Sequence, residues 1–197
     1  MAALPESSDF SFSVIPDLPD LPAGLALRAA HVDRIAPRTL YRIARLRQEV
    51  FVVEQDCVYL DLDGRDLEPG TRQMWVETVG GGERVGGPGE SGGEAEAGRG
   101  GSGGSEAGEV AATVRILDES NLEPGLVSIG RVVTAPSWRG RGIAGVLLRH
   151  AIAACEGRPI LIHAQAHLAE WYGGFGFVVS GDEFLEDGIP HIEMRIG

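Results

Sequence analysis

The sequence predicts one α/β (α+β) domain, with a mixed central sheet of six to seven strands flanked by helices. Three observations lead to this fold class. The 197 residues suffice for one full core and are too few for two comfortable domains. Short apolar runs rich in β-branched residues alternate with amphipathic segments of helical period. Some strands follow one another directly while others are separated by a helix, which favours a mixed sheet.

The predicted elements run in the order strand, helix, three strands, helix, strand, helix and two strands. Leu40, Ile43, Leu46 and Val50 recur at helical spacing between arginines, which is typical of an amphipathic helix lying on a sheet. The run 159–164 is almost entirely apolar, as expected of a buried central strand. The predicted strands are 25–32, 74–79, 111–117, 127–135, 159–164, 176–179 and 189–196, and the predicted helices are 38–50, 142–155 and 167–172.

Two segments have too few apolar residues to form part of a hydrophobic core. Residues 1–22 carry four prolines among acids and serines, which predicts a disordered tail. Residues 80–108 contain fourteen glycines, which predicts a disordered insert joining two neighbouring strands. The domain is therefore expected over 23–197, interrupted by this insert. Residues 51–62 are predicted to be an acidic connecting stretch.

Charge and residue usage exclude several classes of protein. The net charge is −12, but the tail and the insert carry enough acid to leave the domain at about −5. We therefore expect no nucleic-acid or membrane partner, whereas a cationic substrate fits. All 17 basic residues are arginines, which excludes P-loop NTPases and pyridoxal enzymes because both need a lysine. Cys57 and Cys155 are predicted to be reduced core residues of a cytoplasmic protein, and no apolar run reaches the length of a membrane span.

The most informative motif is Arg139-Gly140-Arg141-Gly142-Ile143-Ala144, which lies between a strand and a helix. Glycines allow a phosphate to approach main-chain amides closely at the positive end of a helix. The motif therefore predicts a ligand that carries phosphate. Gly140, Gly142 and Gly145 also fit the dinucleotide pattern G-x-G-x-x-G. In the dinucleotide pattern the first glycine directly follows the strand, whereas four residues intervene here. The pattern also needs an acid at the end of the next strand, where this sequence has His and Gln. The dinucleotide-binding alternative is therefore weaker.

Two metal patterns are incomplete. His163 and His167 are four residues apart, but Ala164 stands where a zinc-binding helix has glutamate, and His163 falls within a predicted strand. Asp61, Asp63 and Gly64 suggest a calcium loop without its glycine and glutamate at the required positions. No metal is predicted.

The motifs together resemble the GNAT superfamily of acyl-CoA-dependent N-acetyltransferases. The stretch Arg139 to Ala144 matches the Arg/Gln-x-x-Gly-x-Gly/Ala element, and Tyr172-Gly173-Gly174-Phe175-Gly176-Phe177 matches Tyr-x-x-x-Gly-Phe. A closer likeness to the ElaA branch rests on four segments, namely 51–57, 61–64, 164–168 and 186–191. The resemblance covers residue 25 to the C-terminus without the insert, and it implies the GNAT fold.

The resemblance implies acetyl-CoA as cosubstrate and direct transfer of the acetyl group to a primary amine of a small molecule or protein. Tyr172 takes the position of the general acid, and Glu54, Asp56 and His191 are candidates for the base. Gln165 stands where many relatives place an Asn that contacts the cofactor. Members often dimerise, which leaves a homodimer open. The implied cofactor contacts are Val132, Val133, Thr134, Arg139, Gly140, Arg141, Gly142, Ile143 and Ala144.

Two other functions stay open at this point. One is a dinucleotide-binding oxidoreductase, to which the glycine pattern points. The other is a catalytically silent CoA-binding sensor or interaction module.

Overall fold

The computed structural model describes residues 18–79 and 108–197. Its strands and helices follow the predicted order. The strands are β1 (Leu25–Ala30), β2 (Arg72–Thr78), β3 (Val110–Asp118), β4 (Val127–Thr134), β5 (Ile160–Gln165), β6 (Val178–Glu186) and β7 (Ile189–Ile196), and the helices are α1 (Pro37–Arg47), α2 (Ile143–Ala153) and α3 (Ala169–Gly173). The predicted single domain with a mixed sheet is confirmed.

The seven strands form one sheet in the order β1-β2-β3-β4-β5-β7-β6. Strands β4 and β5 are parallel, and the other neighbouring strands of the described residues are antiparallel. This arrangement differs from the parallel, doubly wound sheet that a dinucleotide-binding fold requires. The oxidoreductase alternative therefore loses its structural basis.

Strands β4 and β5 separate soon after they meet. Their pairing consists of Val127 with Ile160 and Ser128 with Leu161, although both strands continue beyond these pairs. The later part of β4 consequently has main-chain groups without a strand partner on the β5 side. A gap in the middle of the sheet results.

Helices cover both faces of the sheet, because successive strand residues point to opposite faces. Met74 and Val76 pack with Leu147 and other α2 residues in one core cluster. Trp75, which lies between them, packs with Ile43 and other α1 residues in the second cluster. The domain is therefore layered as helix, sheet and helix.

Residues 51–54 were predicted as part of the acidic connecting stretch, but they are helical. The segment Gln48–Glu54 continues α1 as a π-helix, in which Gln55 N–H donates to the Val50 carbonyl at 3.0 Å. A π-helical turn has wider hydrogen-bond spacing than an α-helix and is frequent at functional sites. Here it carries Phe51 and Gln55 to the gap in the sheet.

The length of β6 was also underestimated: a strand over 176–179 was predicted, but β6 extends to Glu186. Its burial pattern explains the difference, since nearly all of its residues are exposed and few apolar side chains mark it. The predicted tail and insert lie outside the described residues, apart from 18–22 and Gly108. Leu21 at the end of that tail packs against the core.

Candidate active site

A cavity of about 470 Å³ opens at the gap between β4 and β5. The π-helix and the following loop form one wall, β3 and β4 a second, and β5 with the β6–β7 hairpin a third. Its polar and aromatic lining consists of Phe51, Gln55, Tyr59, Asp63, Arg65, Arg115, Glu119, Ser128, Arg131, His163, Gln165, Tyr172, Glu186, Asp187 and His191. Residues far apart in the sequence thus share one chamber.

The wall formed by β4 contains a β-bulge. Thr113 pairs with Val133 while Arg115 pairs with Gly130, so β4 has one residue more than β3 over this interval. Within it, Arg131 has φ 54°, a left-handed conformation that costs a non-glycine residue about 1–3 kcal/mol. A bulge disrupts the ladder locally, and here it lies in the part of β4 that lines the cavity.

The segment Arg139 to Ala144, called here the glycine loop, lies at the end of β4. Gly140 and Gly142 have φ values of 72° and 75°, which glycine adopts without strain. The first hydrogen bond inside α2 runs from Val146 N–H to the Gly142 carbonyl, and no side chain of the described residues caps this helix. The amides of the first turn are therefore available to an anion.

The side chains of the two arginines in the glycine loop make different contacts. Arg139 forms a bidentate ion pair with Glu54, with Nη–Oε distances of 2.9 and 2.8 Å, and its Nε donates to the Thr134 carbonyl at 3.2 Å. Arg141 stacks on the Trp138 ring at 4.6 Å and donates to the Ser137 carbonyl. Both side chains are exposed, but the charge of Arg139 is paired with Glu54, whereas Arg141 lies over the Trp138 ring.

Tyr172 lies at the end of α3 and lines the cavity with only 8% of its surface exposed. Its ring makes edge contacts with Trp171 and Phe177, which fix its orientation. Burial raises the pKa of its hydroxyl to about 12. The phenol consequently keeps its proton over the whole physiological range.

His191 lies on β7 and lines the same cavity. Its Nδ1 is 2.9 Å from the Ile189 carbonyl oxygen, and because a carbonyl accepts, Nδ1 must donate. In the neutral ring, Nε2 then carries the lone pair. The Phe184 ring stacks on His191 and also contacts the His163 ring edge-on, so aromatic packing holds both histidines.

Two other base candidates lie outside the cavity lining. Glu54 is in the ion pair with Arg139, whose hydrogen bonds lower the pKa of the Glu54 carboxyl below its ordinary value. Asp56 is exposed on the loop after the π-helix. Gln165 does line the cavity, and its amide donates to Gln55 Oε1 at 3.3 Å.

The main feature that the sequence did not predict is a network of ion pairs, which we call the charged cluster. Part of it lines the cavity. Arg47 and Asp61 are almost fully buried and bind each other through Arg47 Nε and Asp61 Oδ2 at 2.9 Å. Arg115 grips Asp63 with both Nη atoms, at 2.7 and 2.8 Å. The members are Arg47, Asp61, Asp63, Arg65, Asp66, Glu68, Arg115, Glu119 and Arg131. The available signal was Asp61-Leu62-Asp63-Gly64, which carried part of the ElaA resemblance and was otherwise considered only as an incomplete calcium loop.

Cys57 also faces the cavity but is 5% exposed. Burial, together with the charges of Asp187 and Asp56, raises the pKa of its thiol. A raised thiol pKa is the opposite of what a cysteine nucleophile needs. Both Cys57 and Cys155 are free and buried, in agreement with the predicted core role.

The described residues contain no helix that is both long and apolar enough to cross a membrane.

An open strand edge thus leads from a glycine-rich helix start to a polar cavity. Residues 104–197 match the family model of the acetyltransferase (GNAT) domain. An acyl-CoA N-acyltransferase structure from Pseudomonas aeruginosa is 34% identical, with a TM-score of 0.68, and the match covers 88% of this chain and 99% of that one.

The sequence relatives narrow this class further. A UPF0039 protein of Mycobacterium tuberculosis is 39% identical over 169 residues, which are 86% of this chain and 91% of that protein. Protein ElaA of Escherichia coli is 32% identical over 169 residues, covering 83% of this chain and 91% of ElaA. The chain belongs to the GNAT superfamily and, within it, to the ElaA-like branch.

Proposed function

We propose that this protein is an acetyl-CoA-dependent N-acetyltransferase that moves the acetyl group directly to a primary amine. The observation that carries the proposal is the continuity between the glycine loop, the open edge of β4 and the cavity that contains Tyr172 and His191. A transferase needs a nucleotide site and an acceptor site on either side of one reacting centre. The cytoplasm is the proposed compartment.

The proposed binding mode of the acetyl donor is based on the exposed main-chain groups of β4 and the glycine loop. The amides of Gly140 to Ala144 and the first turn of α2 would bind the pyrophosphate of acetyl-CoA. The predicted contact through the Arg139 amide is not available, because this amide donates to the Pro136 carbonyl at 3.4 Å. Val132, Val133 and Thr134 would pair with its pantetheine arm, since this part of β4 lacks a neighbour on the β5 side. When bound, acetyl-CoA supplies a thioester that an amine can attack.

Tyr172 is proposed as the general acid. When the acceptor nitrogen bonds to the acyl carbon and the carbon–sulfur bond breaks, the departing sulfur needs a proton or a hydrogen-bond donor. A phenol with a pKa of about 12 is always protonated and therefore always able to donate.

His191 is proposed as the base, because Nε2 carries the free lone pair and the ring faces the cavity. It would take the proton that the amine loses. Glu54 and Asp56 are less suited, since neither lines the cavity and Glu54 is occupied by Arg139. Glu54 fits better as a residue that orients Arg139.

The decisive experiment combines binding with turnover. Thermal shifts with acetyl-CoA, CoA and NADPH test the donor, and we expect stabilisation by the first two alone. A panel of primary amines is then screened with detection of free CoA thiol. Stabilisation by NADPH alone would refute the proposal, and binding of CoA without turnover of any amine would favour the silent sensor.

A further inference from the structure

The ion pair between Glu54 and Arg139 joins two elements whose residues are 85 positions apart in the sequence. Glu54 is the last residue of the π-helix, and Arg139 is the first residue of the glycine loop. Both carboxylate oxygens accept from the guanidinium, at 2.9 and 2.8 Å. Each of the two side chains is 44% exposed, so a dissolved anion can reach the pair.

Arg139 uses all three of its guanidinium nitrogens in this arrangement. Nη1 and Nη2 donate to Glu54, and Nε donates to the Thr134 carbonyl at 3.2 Å. The forked N–H groups of an arginine bind a carboxylate or a phosphate in the same bidentate manner. The carboxylate of Glu54 therefore occupies the part of Arg139 that would bind a phosphate.

The same contacts lie where the acyl donor is proposed to bind. The Thr134 carbonyl belongs to the section of β4 that is proposed to pair with the pantetheine arm, and it already accepts from Arg139. Arg139 belongs to the loop that is proposed to hold the diphosphate. Two groups on the donor side are thus engaged by contacts within the chain.

The ion pair is of a kind that a stronger anion can replace. The hydrogen bonds from Arg139 lower the pKa of the Glu54 carboxyl, so this group is charged at neutral pH. Water solvates both partners of an exposed ion pair, and such a pair contributes little to stability. A diphosphate carries more charge than one carboxylate, and the amides at the start of α2 would bind it at the same time.

We propose that Glu54 is an internal counter-ion of Arg139 that the diphosphate of the acyl donor displaces, so that Glu54 competes with the donor for this arginine. This inference rests on the proposed acyltransferase function. The exchange involves no covalent step, because Arg139 releases one carboxylate and binds phosphate oxygens in its place.

Glu54→Gln removes the charge of the competitor and keeps the size of the side chain. Calorimetry should show that this variant binds acetyl-CoA about 2- to 5-fold more tightly than the wild-type protein, the range expected for the loss of an exposed ion pair. Glu49→Gln is the matched control, since Glu49 is an exposed acid of the same π-helix and forms no ion pair with another described residue. Its affinity for acetyl-CoA should equal that of the wild-type protein.

Two results of this comparison would overturn the inference. Weaker binding by Glu54→Gln would mean that Glu54 stays on Arg139 and orients it for the donor. An equal gain in Glu54→Gln and Glu49→Gln would mean that only the overall charge of the segment matters.

The titration of the Glu54 carboxyl reports the displacement directly. It can be followed by carbon NMR on protein labelled at glutamate, with Glu54→Gln to assign the signal. The pKa should be lowered in the free wild-type protein and should rise when CoA is bound, because the hydrogen bonds from Arg139 are then lost. Free Arg139→Ala supplies the reference value, which the CoA complex should reach or exceed. A pKa that stays lowered in the complex would contradict the exchange.

The outcomes also separate this inference from the proposed function. A wild-type protein that binds neither CoA nor acetyl-CoA contradicts the function. A wild-type protein that binds both, but whose affinity falls in Glu54→Gln, keeps the donor site and refutes the competition.

Discussion

The glycine loop follows the end of β4 and part of the charged cluster lines the cavity beside β4, and the two are built in opposite ways. The glycine loop is six consecutive residues whose conformation depends on two glycines and a helix start. The charged cluster collects nine residues from α1, the loop after the π-helix, β3 and its end, and β4. The proposed phosphate site is therefore visible as one short sequence motif, whereas the wall of the cavity is assembled only in the folded domain.

Tyr172 lines the cavity, and loss of its hydroxyl should have the largest effect on turnover. Tyr172→Phe keeps the ring and its packing but loses the proton donor, so kcat should fall by about 10²–10⁴-fold with acetyl-CoA affinity nearly unchanged. Tyr41→Phe, at an α1 residue that is 70% exposed, is the matched control. Steady-state kinetics by CoA thiol release provides the measurement, and an unchanged kcat would remove Tyr172 from the mechanism.

The glycine loop should respond in binding rather than in turnover. Arg141→Ala and Arg139→Ala should each weaken acetyl-CoA binding by about 1.5–3 kcal/mol, the value of a hydrogen bond to a charged group. Calorimetry with acetyl-CoA and CoA should give equal losses, because the pyrophosphate is common to both. Unchanged affinity would place the phosphates elsewhere. Arg149→Ala, on the exposed face of α2, serves as the control.

The charged cluster should respond in stability and in its pH dependence. Burial acts to raise the pKa of Asp63, but the hydrogen bonds and charge of Arg115 outweigh it and lower the pKa from 3.8 to about 2. Because the folded-state pKa is the lower one, the stabilisation is complete above the unfolded pKa and is lost as the pH falls from about 4 to 2.

Urea unfolding at a series of pH values measures this contribution. Between pH 5 and 2 the wild-type protein should lose about 2 kcal/mol more of its unfolding free energy than Asp63→Asn does. Asp182→Asn, an exposed residue of β6, should follow the wild-type curve. Parallel curves for Asp63→Asn and the wild-type protein would show that the cluster does not hold Asp63 as its geometry indicates.

The smallest effect on function is expected from deletion of residues 81–107. Thr78 N–H donates to the Glu109 carbonyl at 3.0 Å, so the ends of β2 and β3 already adjoin. The deletion shortens the connection from about 30 to about 3 residues and should raise the unfolding free energy by up to about 2 kcal/mol, because each halving of the loop length saves about 0.6 kcal/mol of closure entropy. Acetyl-CoA affinity and kcat should be unchanged. A large loss in any of these quantities would give the insert a function.

The element order and the position of the glycine loop could be predicted from the sequence, because both depend on local periodicity. The π-helix could not be predicted, since the helix was expected to end at Val50 and the wider hydrogen-bond spacing over 48–54 leaves no residue pattern. The extent of β6 was also missed, because an exposed edge strand lacks the apolar alternation that marks a half-buried one.

Among the candidate bases, the sequence could name Glu54 and His191 but could not rank them. Their difference lies in their hydrogen-bond partners in the folded domain. Glu54 pairs with Arg139, which is 85 residues away along the chain, whereas the carbonyl of Ile189, two residues before His191, fixes the tautomer of His191. The residue type determines which reactions a side chain can take part in. Its neighbours in the folded domain determine whether the side chain is free to do so.

The sequence by itself determined the fold class, the order of the elements and the loop with its two left-handed glycines, because these follow from neighbouring residues. The tertiary structure alone decided that β4 and β5 separate, that Arg131 adopts a strained conformation at the bulge and that Asp61 pairs with Arg47 in the interior. Those features arise from contacts between residues 14 to 70 positions apart, which no local pattern encodes.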